Sequence, residues 1–231
     1  DGVRINRNAF AGRMELLDPF LMLDELGSDE ASDYIGGFPE HPHRGFETVT
    51  YMLEGKMQHR DHMGNTGELI PGSVQWMTAG RGVLHSEMPM QESGRLHGFQ
   101  LWVNLPRSQK LAAPRYQDLR ASEVALAASE DGGALLRIIA GEVGGHRGPG
   151  STYTPMTQIH ATLSPGAQLS LPWRADFNGL LFVLNGDGTV GPEQRPIGMG
   201  QLAVYGAGDV LTVRADRVQE SRSPNMDVLL L

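Results

Sequence analysis

The chain of 231 residues carries a net charge of -8, with 20% charged and 40% hydrophobic residues, the balance of a folded globular protein. That charge argues against a general nucleic-acid binder, which needs a basic face to neutralise phosphates. Cysteine is absent, so disulfides and thiolate ligation are excluded, and no apolar run approaches the roughly 18 residues that span a membrane. The cysteine-free composition is compatible with a reducing cytosol, and a cytoplasmic setting is the expectation. The sequence opens at Asp1 in mid-pattern, so a targeting segment is not legible in it. Lys56 and Lys110 are the only lysines, and the arginines read as scattered surface charge, though a local patch would suit an acidic protein partner.

Thirty glycines and fourteen prolines cut the chain into short segments, the pattern of many strands joined by turns. Thr48–Leu53 is rich in β-branched and aromatic residues and runs into Glu54-Gly55, a strand followed by a turn. Turns are predicted at Met63–Gly67 and Ile70-Pro71-Gly72, and further strands at Val74–Met77 and Phe99–Val103. From Pro106 to Val124 prolines break up extended structure, and the stretch reads as a connection with one helical turn. Strands then resume at 135–140, 158–163, 179–184, 200–205 and 228–230, and Gly141–Gly150 reads as a mobile loop.

A weak internal repeat links the halves. Tyr51-Met52-Leu53-Glu54-Gly55 resembles Phe182-Val183-Leu184-Asn185-Gly186, each an apolar strand entering a glycine turn. Duplicated β-barrels suit this better than βαβ units, which need helical spacers between strands.

The chemistry concentrates in two couplets, His41-Pro42-His43 and His85-Ser86-Glu87. On a strand, side chains at i and i+2 share a face, so each couplet presents two metal-binding groups side by side. Brought together in a barrel they make a three-His, one-Glu set suited to a first-row divalent metal, Fe²⁺ first among them. His59 and His62 flank a charged turn and read as solvated. His97 reads as a hydrogen-bonded core histidine near Trp102, and His146 and His160 have no couplet partner. Phe46 and Met77 are candidate pocket walls.

The segments Gly37–Tyr51 and Gln75–Pro89, flanked by Leu17–Glu25 and Gly98–Leu105, resemble the signature regions of the pirin family, a branch of the cupin superfamily. The resemblance is dense from residue 2 to 106 and looser, but collinear, beyond. It implies an all-β bicupin: a metal-binding cupin barrel over 1–106, a linker over 107–124, and a cupin barrel without a metal site over 125–231. It also implies metal ligands at His41, His43, His85 and Glu87, iron as cofactor, and quercetin 2,3-dioxygenase activity on a flavonol-like substrate with O₂. Some members act instead as metal-dependent regulators that bind a transcription factor or metabolic enzyme, and this is the alternative. A cupin isomerase or sugar-binding module fits the motifs less well. Chains of this type usually continue past the last hydrophobic strand, whereas this sequence stops at Leu229-Leu230-Leu231.

General cupins draw their ligands from H-x-H-x3–4-E and P-x-G-x2-H. Glu47 stands at the first pattern's carboxylate position, and Gln75 replaces the second pattern's histidine, so His85 with Glu87 must substitute. Glu47 remains a rival ligand. Along a straight strand it would lie ~13 Å from His43, too far for a shared coordination shell unless Gly45 bends the chain. Glu87, or Glu47 beside it, is the candidate catalytic base for a flavonol hydroxyl.

Overall fold

The computed structural model describes residues 2–8 and 17–231, which form 22 strands and two short 3-10 turns. It divides into two compact units, Asp1–Glu123 and Val124–Leu231. In the first, strands run as β1 (Ile5–Asn8), β2 (Phe20–Ser28), β3 (Phe38–His43), β4 (Phe46–Glu54) and β5 (Met57–Asp61). They continue as β6 (Thr66–Leu69), β7 (Val74–Thr78), β8 (Val83–Pro89), β9 (Leu96–Asn104) and β10 (Arg115–Leu119). The second unit has β11 (Ala125–Ala128), β12 (Ala134–Ala140), β13 (Glu142–Val143), β14 (His146–Arg147), β15 (Gln158–Leu163) and β16 (Gln168–Pro172). It ends with β17 (Leu180–Asn185), β18 (Asp187–Val190), β19 (Arg195–Gly198), β20 (Leu202–Val204), β21 (Val210–Ala215) and β22 (Met226–Leu230).

Each unit pairs a six-stranded sheet with a four-stranded one. The first has orders β1-β2-β9-β4-β7-β10 and β3-β8-β5-β6, and the second β11-β12-β15-β22-β17-β20 and β16-β21-β18-β19. The orders superimpose, β2-β9-β4-β7 on β15-β22-β17-β20 and β3-β8-β5-β6 on β16-β21-β18-β19. This is the double-sheet barrel of cupins, built twice. The repeat seen in the sequence is its β4-to-β5 and β17-to-β18 corner. Gly55 and Gly186 turn both corners at φ of +84° and +82°, a conformation that costs residues with a Cβ.

The segment 107–124 is more than a connection. It holds a 3-10 turn at Arg107–Gln109 and then β10, which pairs antiparallel with β7 from Arg115↔Thr78 to Leu119↔Val74. Pro106 and Pro114 conceal this strand in the sequence, because they punctuate both its approach and its start.

The two interiors differ in kind. That of the second unit is one apolar cluster, including Leu171, Trp173, Leu181, Val190, Leu211, Val213 and Leu230. In the first, Met52 and Met57 belong to one apolar cluster and Met77 and Val83 to another. Thr50, His59 and His85 lie two residues from Met52, Met57 and Val83 on the same strands and therefore share their faces. Strand register makes the comparison position by position. Anchored on the repeat, the pairs His41↔His85 and His59↔Glu87 correspond to Leu171↔Leu211 and Val190↔Val213. By the same register Thr50↔Gln100 corresponds to Leu181↔Leu230. Where the second barrel is filled with hydrocarbon, the first carries nitrogen and oxygen.

Candidate metal centre

The site is displayed mainly by the four-stranded sheet of the first unit. His41 and His43 project from β3, and β8 runs antiparallel beside it with His85 directly opposite His41. One ring nitrogen from each of His41, His43 and His85 lies within 4.8 Å of the other two. His41 Nε2 is 2.9 Å from His43 Nε2 and 3.0 Å from His85 Nε2. Nitrogens bound at ~2.1 Å in neighbouring positions of an octahedral ion lie ~3.0 Å apart, so the spacing fits a divalent metal.

The chemistry of the donors agrees. His41 Nδ1 lies 2.7 Å from the carbonyl oxygen of Pro39, which can only accept, so His41 carries its proton on Nδ1 and turns a lone pair inward. Burial, with help from the neighbouring His41, lowers the His43 pKa to about 4. Burial and then the rings of His43, His41 and His59 lower that of His85 further. Neutral imidazoles with converging lone pairs repel one another, and a cation between them relieves that repulsion.

The His43 shift gives a testable pH effect. Unfolded His43 takes up its proton near pH 6.5, the folded ring only near 4, so its contribution to stability is present above 6.5 and is lost as pH falls through 4. The stability advantage of the metal-free protein over its His43→Gln variant should therefore shrink between pH 7 and 4 in denaturant melts. An advantage constant across that range would contradict the burial of a neutral ring.

Glu87 follows His85 on β8 at two-residue spacing and is 2% exposed. Its Oε1 accepts from Thr50 Oγ1 at 3.1 Å, and its Oε2 from Gln100 Nε2 at 2.8 Å. Trp102 Nε1 in turn donates to Gln100 Oε1 at 3.2 Å, which fixes the amide with its nitrogen towards Glu87. Each carboxylate oxygen retains a second lone pair. Burial raises the Glu87 pKa, opposed by those two hydrogen bonds and by His41. The carboxylate thus stands beside the three histidines but outside their tightest cluster.

Glu47 lies elsewhere. Gly45 does bend the chain, at φ +79°, and carries it from one sheet to the other. Parity then decides the outcome: Phe46 packs on His43 and Thr50 binds Glu87, so Glu47, between them at odd spacing, points to the opposite face. There Thr78 Oγ1 donates to its Oε1 at 2.7 Å, while Oε2 is buried without a hydrogen-bond partner. Its pKa is raised by burial, opposed by Thr78, Trp76 and Arg115. Glu47 thus turns away from the triad, towards Thr78 on the opposite face of β4.

Other expectations also change. His59 is not solvated: it is 1% exposed, sits opposite Glu87 in register, and places Nδ1 3.1 Å from His85 Nδ1. The alternation Met57-x-His59-x-Asp61 was the signal for it. His62 is exposed, as expected. His97 is buried and bonded to Glu25 at 3.0 Å, on the face of β9 opposite Trp102. His146 is exposed, and His160 pairs with Asp227 at 3.2 Å. Gln75 donates to Asp118 at 3.0 Å. Phe46 lies beside the triad, its ring 5.2 Å from His43 and 4.5 Å from Trp102, both aromatics half-buried. Met77 packs with Val83 and Tyr116. Thr50, Gln100 and Trp102 were missed as partners of the site because their roles come from cross-strand register, which no local motif encodes.

Known proteins fit this architecture. Family models for pirin and for the pirin C-terminal cupin domain match residues 2–103 and 158–231. Human pirin is 42% identical over 92% of this chain and 72% of its own length. A Vibrio cholerae relative, provisionally named quercetin 2,3-dioxygenase, is 46% identical over 94% of this chain and 77% of its own. The crystal structure of quercetin 2,3-dioxygenase from Acinetobacter baumannii superimposes with a TM-score of 0.87 at 31% identity, covering 100% of this chain and 81% of that one. The Escherichia coli bacterial pirin YhhW, in complex with nickel(II), shares the fold at a TM-score of 0.73 and 20% identity, covering 98% of this chain and 90% of that one. By sequence, by both of its domains and by fold, the chain belongs to the pirin family.

Proposed function

We propose that this protein is a metal-dependent dioxygenase that uses O₂ to open a flavonol-like enediol, with quercetin as the model substrate. His41, His43 and His85 would hold the metal through Nε2, with Glu87 as the fourth ligand and Fe²⁺ as the leading candidate ion. The observation that carries this reading is the convergence of three histidines, with the Nε2 atoms of His43 and His85 at 2.9 and 3.0 Å from that of His41, beside the half-buried rings of Phe46 and Trp102. When bound, the metal supplies Lewis acidity and a redox-active centre with positions left for substrate.

The remaining work falls to the chain. Phe46 and Trp102 offer an apolar aromatic wall against which a planar ring system stacks and from which water is excluded. Glu87, with its pKa raised by burial, takes the proton of the substrate's 3-hydroxyl and leaves an electron-rich enolate. Thr50 and Gln100 hold the carboxylate for that transfer. Both atoms of O₂ enter the ring-opened product, and one ring carbon leaves as carbon monoxide.

The test is anaerobic loading with Fe²⁺, followed by O₂ and quercetin, with carbon monoxide measured against quercetin consumed. One carbon monoxide per quercetin is expected. Iron-loaded protein that releases none would remove the dioxygenase reading and leave the metal-dependent regulator in its place.

A further inference from the structure

We propose that His59 is a positioning residue of the metal centre: it accepts the Nδ1 proton of His85 and thereby frees His85 Nε2 to bind the ion. The inference rests on the metal-site reading above and does not depend on the identity of the substrate. Three observations carry it. His59 is buried on β5, opposite Glu87, with Asp61 opposite His85. Its Nδ1 is 3.1 Å from His85 Nδ1 and 5.1 Å separates the two ring centroids, while its own Nε2 is buried without a hydrogen-bond partner. The ring is held at its edge by Tyr116, 4.9 Å between centroids at 61°, and the Tyr116 hydroxyl donates to Asp61 at 2.7 Å.

Only one proton can lie between the two facing Nδ1 atoms. If His59 donates it, neutral His85 carries its own proton on Nε2, aimed at His41 Nε2 3.0 Å away, and the ligand position is blocked. If His85 donates it, His85 Nε2 is a free lone pair and His59 holds its proton on the buried Nε2. Metal ligands usually hand their second N–H to a carboxylate or carbonyl, groups that can only accept. His41 does so, through Pro39. His85 instead meets another imidazole, so its competence as a ligand depends on the tautomer of His59. Tyr116 brings β10 into the centre, since its ring and its bond to Asp61 fix the plane in which His59 must sit.

Two substitutions separate positioning from simple packing. In His59→Asn the amide oxygen falls where Nδ1 was and can still accept, whereas in His59→Gln the amide falls where Nε2 was and cannot. Cobalt(II) is the probe, titrated against a chelator and followed by its visible bands. His59→Gln should bind cobalt roughly 10–100-fold more weakly and with altered bands, and His59→Asn should stay within about threefold of wild type. Equal effects of the two substitutions, or none from either, would overturn the proposal. A wild-type measurement removes dependence on how the variants fold: in the zinc-loaded protein, ¹⁵N shifts should show His59 protonated at Nε2 and bare at Nδ1. A proton on His59 Nδ1 would equally overturn it. Because neither readout involves turnover, tight cobalt binding without quercetin cleavage would sink the dioxygenase reading and leave this one standing.

Discussion

Replacing His85 with alanine is expected to abolish carbon monoxide release from quercetin and to weaken metal binding by more than about 100-fold, beyond the range that outer partners command. The expectation follows from its position. His85 stands opposite His41 across the β3–β8 pair, places Nε2 3.0 Å from His41 Nε2, and is the ring that His59 contacts. Its removal takes away one of three nitrogens and leaves His59 facing a void. Metal content after dialysis and isothermal titration with the divalent ion check it. An alanine variant that retains one metal per chain would show that the three rings form a hydrogen-bonded core cluster instead.

The second large effect concerns which carboxylate works. Glu87→Gln, loaded to the same metal occupancy as wild type, should lower kcat by about 10²–10⁴-fold, the range typical of a lost general base. Glu47→Gln should leave kcat within a few-fold, because its side chain lies on the opposite face of β4, bonded to Thr78. The contrast is informative because burial raises the pKa of both groups, so basicity alone does not choose between them. Geometry does: Glu87 stands two residues beyond His85 on the same face, and Glu47 points away. Unchanged turnover in Glu87→Gln at full metal occupancy would remove this residue from the proton transfer.

The couplets made the centre legible in the sequence, since i and i+2 on a strand share a face in any β-fold, and the structure adds their convergence. The duplicated barrel was legible through one corner, where Gly55 and Gly186 make the same turn. What stayed hidden depends on pairing between distant strands. Thr50 and Gln100 are ordinary polar residues until register sets them opposite each other and aims both at Glu87. His59 read as a surface residue because Arg60, His62 and the polar turn after it mask an alternating strand. Glu47 read as close because Gly45 permits a bend, but the bend that carries β3 into β4 shifts the parity by one residue, so Phe46 and Thr50 face the site and Glu47 does not. Of the second barrel's interior, the sequence showed only that His146 and His160 lack a couplet partner. Register shows more, with Leu171, Leu211, Val213, Val190, Leu181 and Leu230 at the positions of His41, His85, Glu87, His59, Thr50 and Gln100.

The central claim is that one divalent ion is held in the first barrel by three imidazoles and Glu87. An anomalous-difference map of iron-loaded crystals, collected on both sides of the iron edge, tests it most directly. One peak per chain is predicted, at coordination distance from Nε2 of His41, His43 and His85 and from one oxygen of Glu87. A peak elsewhere, or one ligated by the three histidines with Glu87 still turned wholly to Thr50 and Gln100, would contradict the account.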